Sequence, residues 1–223
     1  MKAKNKFLYI FWPVSTILFI VASVSVIMLA SGYRLNLKNF KLNKTGTIVI
    51  ETIPVKATVY IDKKAVCVKT PCSISYLWPG RYDIKIVADE RKNWEKTLTV
   101  EAEKVTYQRG VILLNQTISP KEYANNDSNL FTSDPDLIIS GNELFDGELF
   151  ITRLSSNILT AVKVKNNYII STEGKLILVS ADGKSGEDVL NVDSNAMQLK
   201  FIESSHQLIW QNEATKILSA QIY

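Results

Sequence analysis

The chain has 223 residues, 46% of them hydrophobic and 22% charged, with a formal net charge of +4, two cysteines and one histidine. This is the balance of an ordinary folded chain, and two cysteines five positions apart with one distant histidine exclude a four-ligand zinc site. The charge is uneven: Arg34 to Ile112 carries fifteen Lys and Arg against eight Asp and Glu, while Leu113 to Tyr223 carries eight against fourteen.

Residues 1–6 form a basic tail with Lys2, Lys4 and Lys6. From Phe7 to Ala30 the chain is uncharged and apolar. As a helix rising about 1.5 Å per residue it reaches roughly 36 Å, enough to cross a hydrocarbon core of about 30 Å. A cleavable signal peptide has a shorter apolar core, of about 7 to 15 residues, and a small-residue cleavage site. Here Met28-Leu29-Ala30 puts a bulky residue where a small one is wanted, and no Cys follows for lipoprotein-type acylation. Tyr9, Trp12 and Tyr33 suit the two interfaces, and Pro13 sits near the start of the span, where a lost backbone hydrogen bond is best tolerated. Residues 7–31 are therefore expected to be a single-pass transmembrane anchor. Lysines flank both sides, so the charge rule does not set its direction. A short tail ahead of a long domain favours a cytoplasmic N-terminus with the C-terminal domains extracytoplasmic, in the cell envelope.

Residues 32–44 read as a juxtamembrane linker, and residues 45–114 as strands throughout. Thr47 to Glu51, Ala57 to Asp62, Arg81 to Ile86 and Lys96 to Glu101 are rich in β-branched and aromatic residues, and most alternate apolar with polar. Ile53-Pro54, Asp62-Lys63-Lys64, Thr70-Pro71 and Trp78-Pro79-Gly80 supply the turns. The expectation is a small antiparallel β-sandwich. The order Thr52-Ile53-Pro54-Val55-Lys56-Ala57-Thr58-Val59-Tyr60-Ile61-Asp62-Lys63, Thr70-Pro71, Leu77-Trp78-Pro79-Gly80-Arg81-Tyr82-Asp83-Ile84 and Trp94 to Val100 resembles a PEGA domain. Gly32-Tyr33-Arg34 leading into Lys44-Thr45-Gly46 is similar to membrane-anchored PEGA proteins of small-genome candidate-phylum bacteria. The resemblance implies a sandwich used as a surface or interaction module, with no catalytic residues to carry over. Lys56 and Lys63 stand where the family carries glycine, at a cost wherever the turn needs positive φ.

Cys67 and Cys72 either close a small loop as a disulfide in an oxidising compartment or remain thiols in the cytoplasm. Lys38, Lys41, Lys44, Lys56, Lys63, Lys64 and Lys69 are the candidate contacts to anionic lipid headgroups or an anionic wall polymer, the alternative being solvated surface charge.

Residues 115–136 turn polar and irregular and read as a linker. Residues 137–223 hold three strand-turn-strand units, starting at Leu137, Tyr168 and Leu208, that look like β-propeller blades. Three are too few for a closed ring. The expectation is a partial propeller, a curved open sheet or a domain needing a partner. Its unpaired edges, with the apolar runs Leu176 to Val179 and Leu208 to Trp210, argue for self-association or another β-rich envelope protein.

The tests for catalysis fail. Gly183-Lys184-Ser185 lacks the first glycine of a phosphate loop, because Leu178 stands there, and reads as a turn. Asp134-Pro135-Asp136 lacks calcium-loop spacing, and His206 has no placed acid. Trp78, Trp94 and Trp210 form either a sugar-stacking face or ordinary packing. The chain is therefore expected to be mainly β: a transmembrane helix, a PEGA-like antiparallel sandwich and a distal β-hairpin, propeller-blade-like region. Its expected role is non-enzymatic and needs no cofactor, metal or nucleic acid: the β-domains bind a cell-wall polymer, a surface layer or a protein partner. A sensory or assembly subunit of a membrane complex is the alternative, although the span offers only Ser15, Thr16, Ser23 and Ser25 as polar residues. An enzyme is disfavoured.

Overall fold

The computed structural model describes residues 4–36, 41–123, 130–131, 134–192, 195–214 and 216–223. Helix α1 (Lys4–Ala30) carries Pro13 inside it. Its stretch Phe11–Ala30 is long and apolar enough to cross a membrane by length and composition, a test an N-terminal signal sequence also passes, and none of it is buried within the chain. The hydroxyls of Thr16 and Ser25 donate one turn back to the carbonyls of Trp12 and Val21, at 2.9 and 2.8 Å. These two polar side chains thus need no partner outside the helix.

The segment after α1 holds a hairpin of β1 (Tyr33–Asn36) and β2 (Lys41–Lys44). It is fastened to the next module. The Thr45 amide and hydroxyl both donate to the Gly32 carbonyl, at 3.2 and 2.9 Å. The Arg34 guanidinium lies 4.3 Å from the centre of the Tyr76 ring, and Lys44 pairs with Glu103.

Seven strands follow: β3 (Gly46–Ile53), β4 (Thr58–Ile61), β5 (Lys64–Cys67), β6 (Cys72–Leu77), β7 (Gly80–Val87), β8 (Trp94–Val100) and β9 (Val105–Ile112). They form two sheets, β6-β3-β9 and β5-β4-β7-β8. Period-two alternation points Ile48, Ile50, Val59, Ile61, Ile84, Ile86, Leu98 and Val100 into a shared core. The expected antiparallel arrangement needs one correction, since β3 and β9 run parallel. The cause is the short turn at residues 101–104. It carries the chain from the end of one sheet to the end of the other where β3 also begins, so β9 must run in the same direction as β3. Lys56 and Lys63 do sit at positive φ, 81° and 69°. Between the turns, Thr52 and Thr70 hydroxyls meet at 2.5 Å, and Thr70 Oγ1 accepts from the Ala57 amide at 3.0 Å.

The distal strands are β10 (Lys121–Glu122), β11 (Leu137–Ser140), β12 (Glu143–Asp146), β13 (Leu149–Arg153), β14 (Thr160–Val164), β15 (Asn167–Thr172), β16 (Lys175–Val179), β17 (Gly186–Asn191), β18 (Ala196–Ile202), β19 (Gln207–Asn212) and β20 (Ile217–Gln221). Each expected hairpin belongs to a larger antiparallel sheet: β11-β12-β13, β14-β15-β16-β17 and β10-β20-β19-β18. The edge strand β14 of the middle sheet touches an edge strand of each of the other two, β11 and β18. None of the described sheets closes into a barrel. The segment read as a linker is partly structured: Asn115 donates its amide to Ile222 O and Tyr123 to Ile217 O, both at 2.9 Å, so its first part runs along β20. Asn125 to Asn129 and Ser133 lie outside the described residues.

The apolar runs offered as a partner surface are core instead. Leu176, Leu178, Leu208 and Trp210 lie at most 7% exposed in a cluster with Val164, Ile169 and Ile222. They are covered from within the chain, by Ile112 and Leu114 among others. A smaller core under the first distal sheet joins Leu144, Ile151, Ile158, Tyr168 and Ile170.

Candidate functional site

The lysines expected to act together are split. Lys38 lies outside the described residues, and Lys41 is on β2. Lys44 is held by Glu103 and has its ammonium 5.1 Å from the centre of the Tyr33 ring. The hydrogen bond to Glu103, then the one to Tyr33, raises its pKa. Lys56 and Lys69 flank Thr70 at the end of the sandwich far from α1, where the Lys56 amide donates to Thr70 O at 3.3 Å. Lys63 and Lys64 lie at the other end of the β4–β5 hairpin, about 13 Å away at the rise of four strand residues. Cys67 and Cys72 are placed as a disulfide with Cα atoms 6.6 Å apart. Because β5 and β6 belong to different sheets, the pair links the two layers.

The segment Gly183-Lys184-Ser185 is a turn between β16 and β17, and three parts of the chain meet on it. Gly183 has φ +66°, and a Cβ there would overlap the Ile151 carbonyl of β13, so only glycine fits. Thr152 donates to Gly183 O at 3.3 Å. From the sandwich, Lys96 reaches Asp182 at 3.0 Å, with the lysine side chain only 18% exposed. Burial of Asp182 opposes its ionisation, but the Ser180 hydroxyl and the Lys96 ammonium outweigh it and hold the carboxyl below its ordinary pKa. Further ties cross the same boundary: Lys92 Nζ to Asp188 O at 3.0 Å, Asn167 Nδ2 to Gly110 O at 2.8 Å and Asn115 Nδ2 to Gln221 O at 3.0 Å.

Beside this joint lies an open cleft of about 250 Å³ between the sandwich and the middle distal sheet. The largely buried Val111, Ile112 and Leu178 line it together with Asn93, Trp94, Gln108 and Glu187. Burial pushes the Glu187 carboxyl pKa up, and Lys92 only partly offsets this. Of the three tryptophans considered for sugar stacking, Trp94 lines this cleft, Trp210 is buried in the distal core, and the Trp78 carbonyl accepts from the Tyr82 hydroxyl at 2.9 Å. His206 stacks on Tyr223 with ring centres 4.6 Å apart. Asn93, Gln108 and Glu187 carried no signal in the sequence. Asn93 and Gln108 come from the sandwich and Glu187 from β17, and the docking of the two modules brings the carboxylate to the amides.

A model of the PEGA domain family matches residues 45–112, which begins one residue before β3 and ends with β9, so the match covers the whole sandwich. No curated protein matches the chain.

Proposed function

We propose, taking the PEGA match of residues 45–112 as premise, that the chain is a non-enzymatic, membrane-anchored envelope protein. In this reading α1 spans the membrane with its N-terminus in the cytoplasm. The β-domains lie outside and bind a cell-wall polymer, a surface layer or a protein partner. One observation carries the reading: Phe11–Ala30 is apolar, and none of it is buried against the rest of the chain. A helix apolar on every side needs an apolar surrounding, and lipid supplies it. Its C-terminal end is tied to the sandwich through Gly32, Thr45, Arg34 and Tyr76, which supports a β-body held close to the bilayer. The lysine pairs Lys56 with Lys69 and Lys63 with Lys64 are two separate contacts for anionic polymer. The three distal sheets are read as blades of a partial propeller, supported by the adjacency of the edge strands β11, β14 and β18 and by β10 completing the last sheet.

The same fastening favours a second reading, a sensory or assembly subunit, because a load on the β-body reaches α1 with little slack. Both readings stand on topology. In intact cells, an impermeant thiol reagent is expected to label Cys67 and Cys72 only after reduction. Labelling that requires lysis would put the β-domains in the cytoplasm and overturn the proposal.

A further inference from the structure

We propose that the cleft between the sandwich and the middle distal sheet binds a single neutral pyranose ring, free or as one residue of a glycan. This rests on the envelope reading only for the source of the sugar. The chemistry comes from the lining. Trp94, partly buried against the sandwich core, lines the cleft with the largely buried Val111, Ile112 and Leu178 and supplies the apolar wall suited to the C–H face of a sugar. Around them, the side chains of Glu187, Asn93 and Gln108 have no hydrogen-bond partner among the described residues. A half-buried carboxylate accepts from two adjacent hydroxyls, and each amide both donates and accepts, which is what a ring edge of vicinal hydroxyls requires. Unused polar groups converging beside apolar surface mark a binding site better than either alone.

The charges select for a neutral ligand. Lys96 is spent on Asp182, Glu95 is paired with Lys85 at 2.8 Å, and Lys92, which donates to Asp188 O, only partly offsets the burial of Glu187. An anion meets no unpaired cation among the described lining residues, and the burial that raises the Glu187 pKa weakens its pull on a cation. At about 250 Å³ the cleft is smaller than the roughly 300 to 1,000 Å³ of sites for drug-sized ligands, so it takes one ring, and its open side leaves room for a chain to continue outward.

The test uses the full chain in a detergent without a sugar headgroup and saturation-transfer NMR. The probes are glucose, galactose, mannose and N-acetylglucosamine, each against the tetrasaccharide of β-1,4-linked N-acetylglucosamine. Transfer to at least one probe is expected, and the tetrasaccharide against the monosaccharides separates a glycan chain from a free sugar. Trp94→Ala or the near-isosteric Glu187→Gln should weaken binding about tenfold, the worth of one stacking contact or one charged hydrogen bond, with the melting temperature of Glu187→Gln kept. No transfer to any probe, or transfer that survives both substitutions, overturns the proposal. Either negative leaves the thiol-labelling result untouched, since that experiment reads topology alone.

Discussion

The sandwich closes its core from its own two sheets, with Ile48 and Ile50 in one cluster with Ile84 and Ile86, whereas the distal core takes Ile53, Ile112 and Leu114 from the sandwich. The four residues Val111-Ile112-Leu113-Leu114 make the difference concrete. Val111 and Leu113 belong to the sandwich core, and Ile112 and Leu114 to the distal one. A strand tail buried on both faces has no polar side, which is why the run is apolar without alternation. One region is self-sufficient in its packing, and the other is completed by its neighbour. The boundary between them is a shared core rather than a tether.

The sharpest way to break this comparison is at the shared tail. Leu114 is fully buried, so Leu114→Ala should cost about 2 to 5 kcal/mol. If the cores are joined, urea unfolding followed by circular dichroism keeps one transition, moved to lower urea; a new early transition belonging to the distal strands alone would separate the two regions. Next comes the turn where three parts meet. Gly183→Ala forces a Cβ into the Ile151 carbonyl at positive φ, and a loss of about 1 to 3 kcal/mol is expected. In the sandwich, a Cβ at Gly80 meets nothing within 4 Å, so Gly80→Ala should stay within about 0.5 kcal/mol. Thermal melts of the two variants compare the regions directly.

Acid should act on the distal side. Asp146 is held low by hydrogen bonds from Lys163 and Tyr168, and Asp182 by Ser180 and Lys96 against the cost of burial. Each folded pKa lies below the unfolded one, so the unfolded chain binds more protons. The stabilisation is present above the ordinary carboxyl range, near pH 4, and fades as pH falls through the folded values. Glu187 runs the other way, since burial raises its pKa and ionisation costs stability as pH rises. Melting temperature against pH should therefore flatten on the acid side in Asp146→Asn and Asp182→Asn, and an unchanged slope would remove these pairs from the account. The smallest expected effect is in the sandwich turns. At φ 81° and 69°, Lys56→Gly and Lys63→Gly relieve left-handed strain of about 1 to 2 kcal/mol but add unfolded-chain entropy, for a net gain of about 0.5 kcal/mol each. Loss of stability on either change would show that the lysine side chain holds the turn.

Four strands of the sandwich, β3, β4, β7 and β8, were legible because β-branched alternation and proline turns are local signals, and β4 and β7 fall within one or two residues of the expected segments; β5, β6 and β9 had no expected segment. Lys56 and Lys63, where the PEGA resemblance has glycine, were read as a cost to positive-φ turns, and both turns keep positive φ nonetheless. The parallel β3–β9 pair was not legible, since direction depends on which end of which sheet a four-residue turn reaches. Leu176 to Val179 looked like an exposed edge because no local pattern tells a strand covered by a distant segment from one covered by a partner. The cleft was invisible for the same reason. Glu187 alternates like any edge-strand residue, and only the seating of β17 against the loop before β8 makes its carboxylate part of a site.

Whether the sandwich and the distal region form one cooperative body is read most directly by hydrogen exchange of the full chain in detergent at rising urea. Peptides from β3–β9 and from β18–β20 should lose protection together, because Ile112 and Leu114 cannot leave the distal core while Val111 and Leu113 stay in the sandwich core without tearing one strand tail. Release of β18–β20 at a urea concentration where β3–β9 remains fully protected would contradict the shared core.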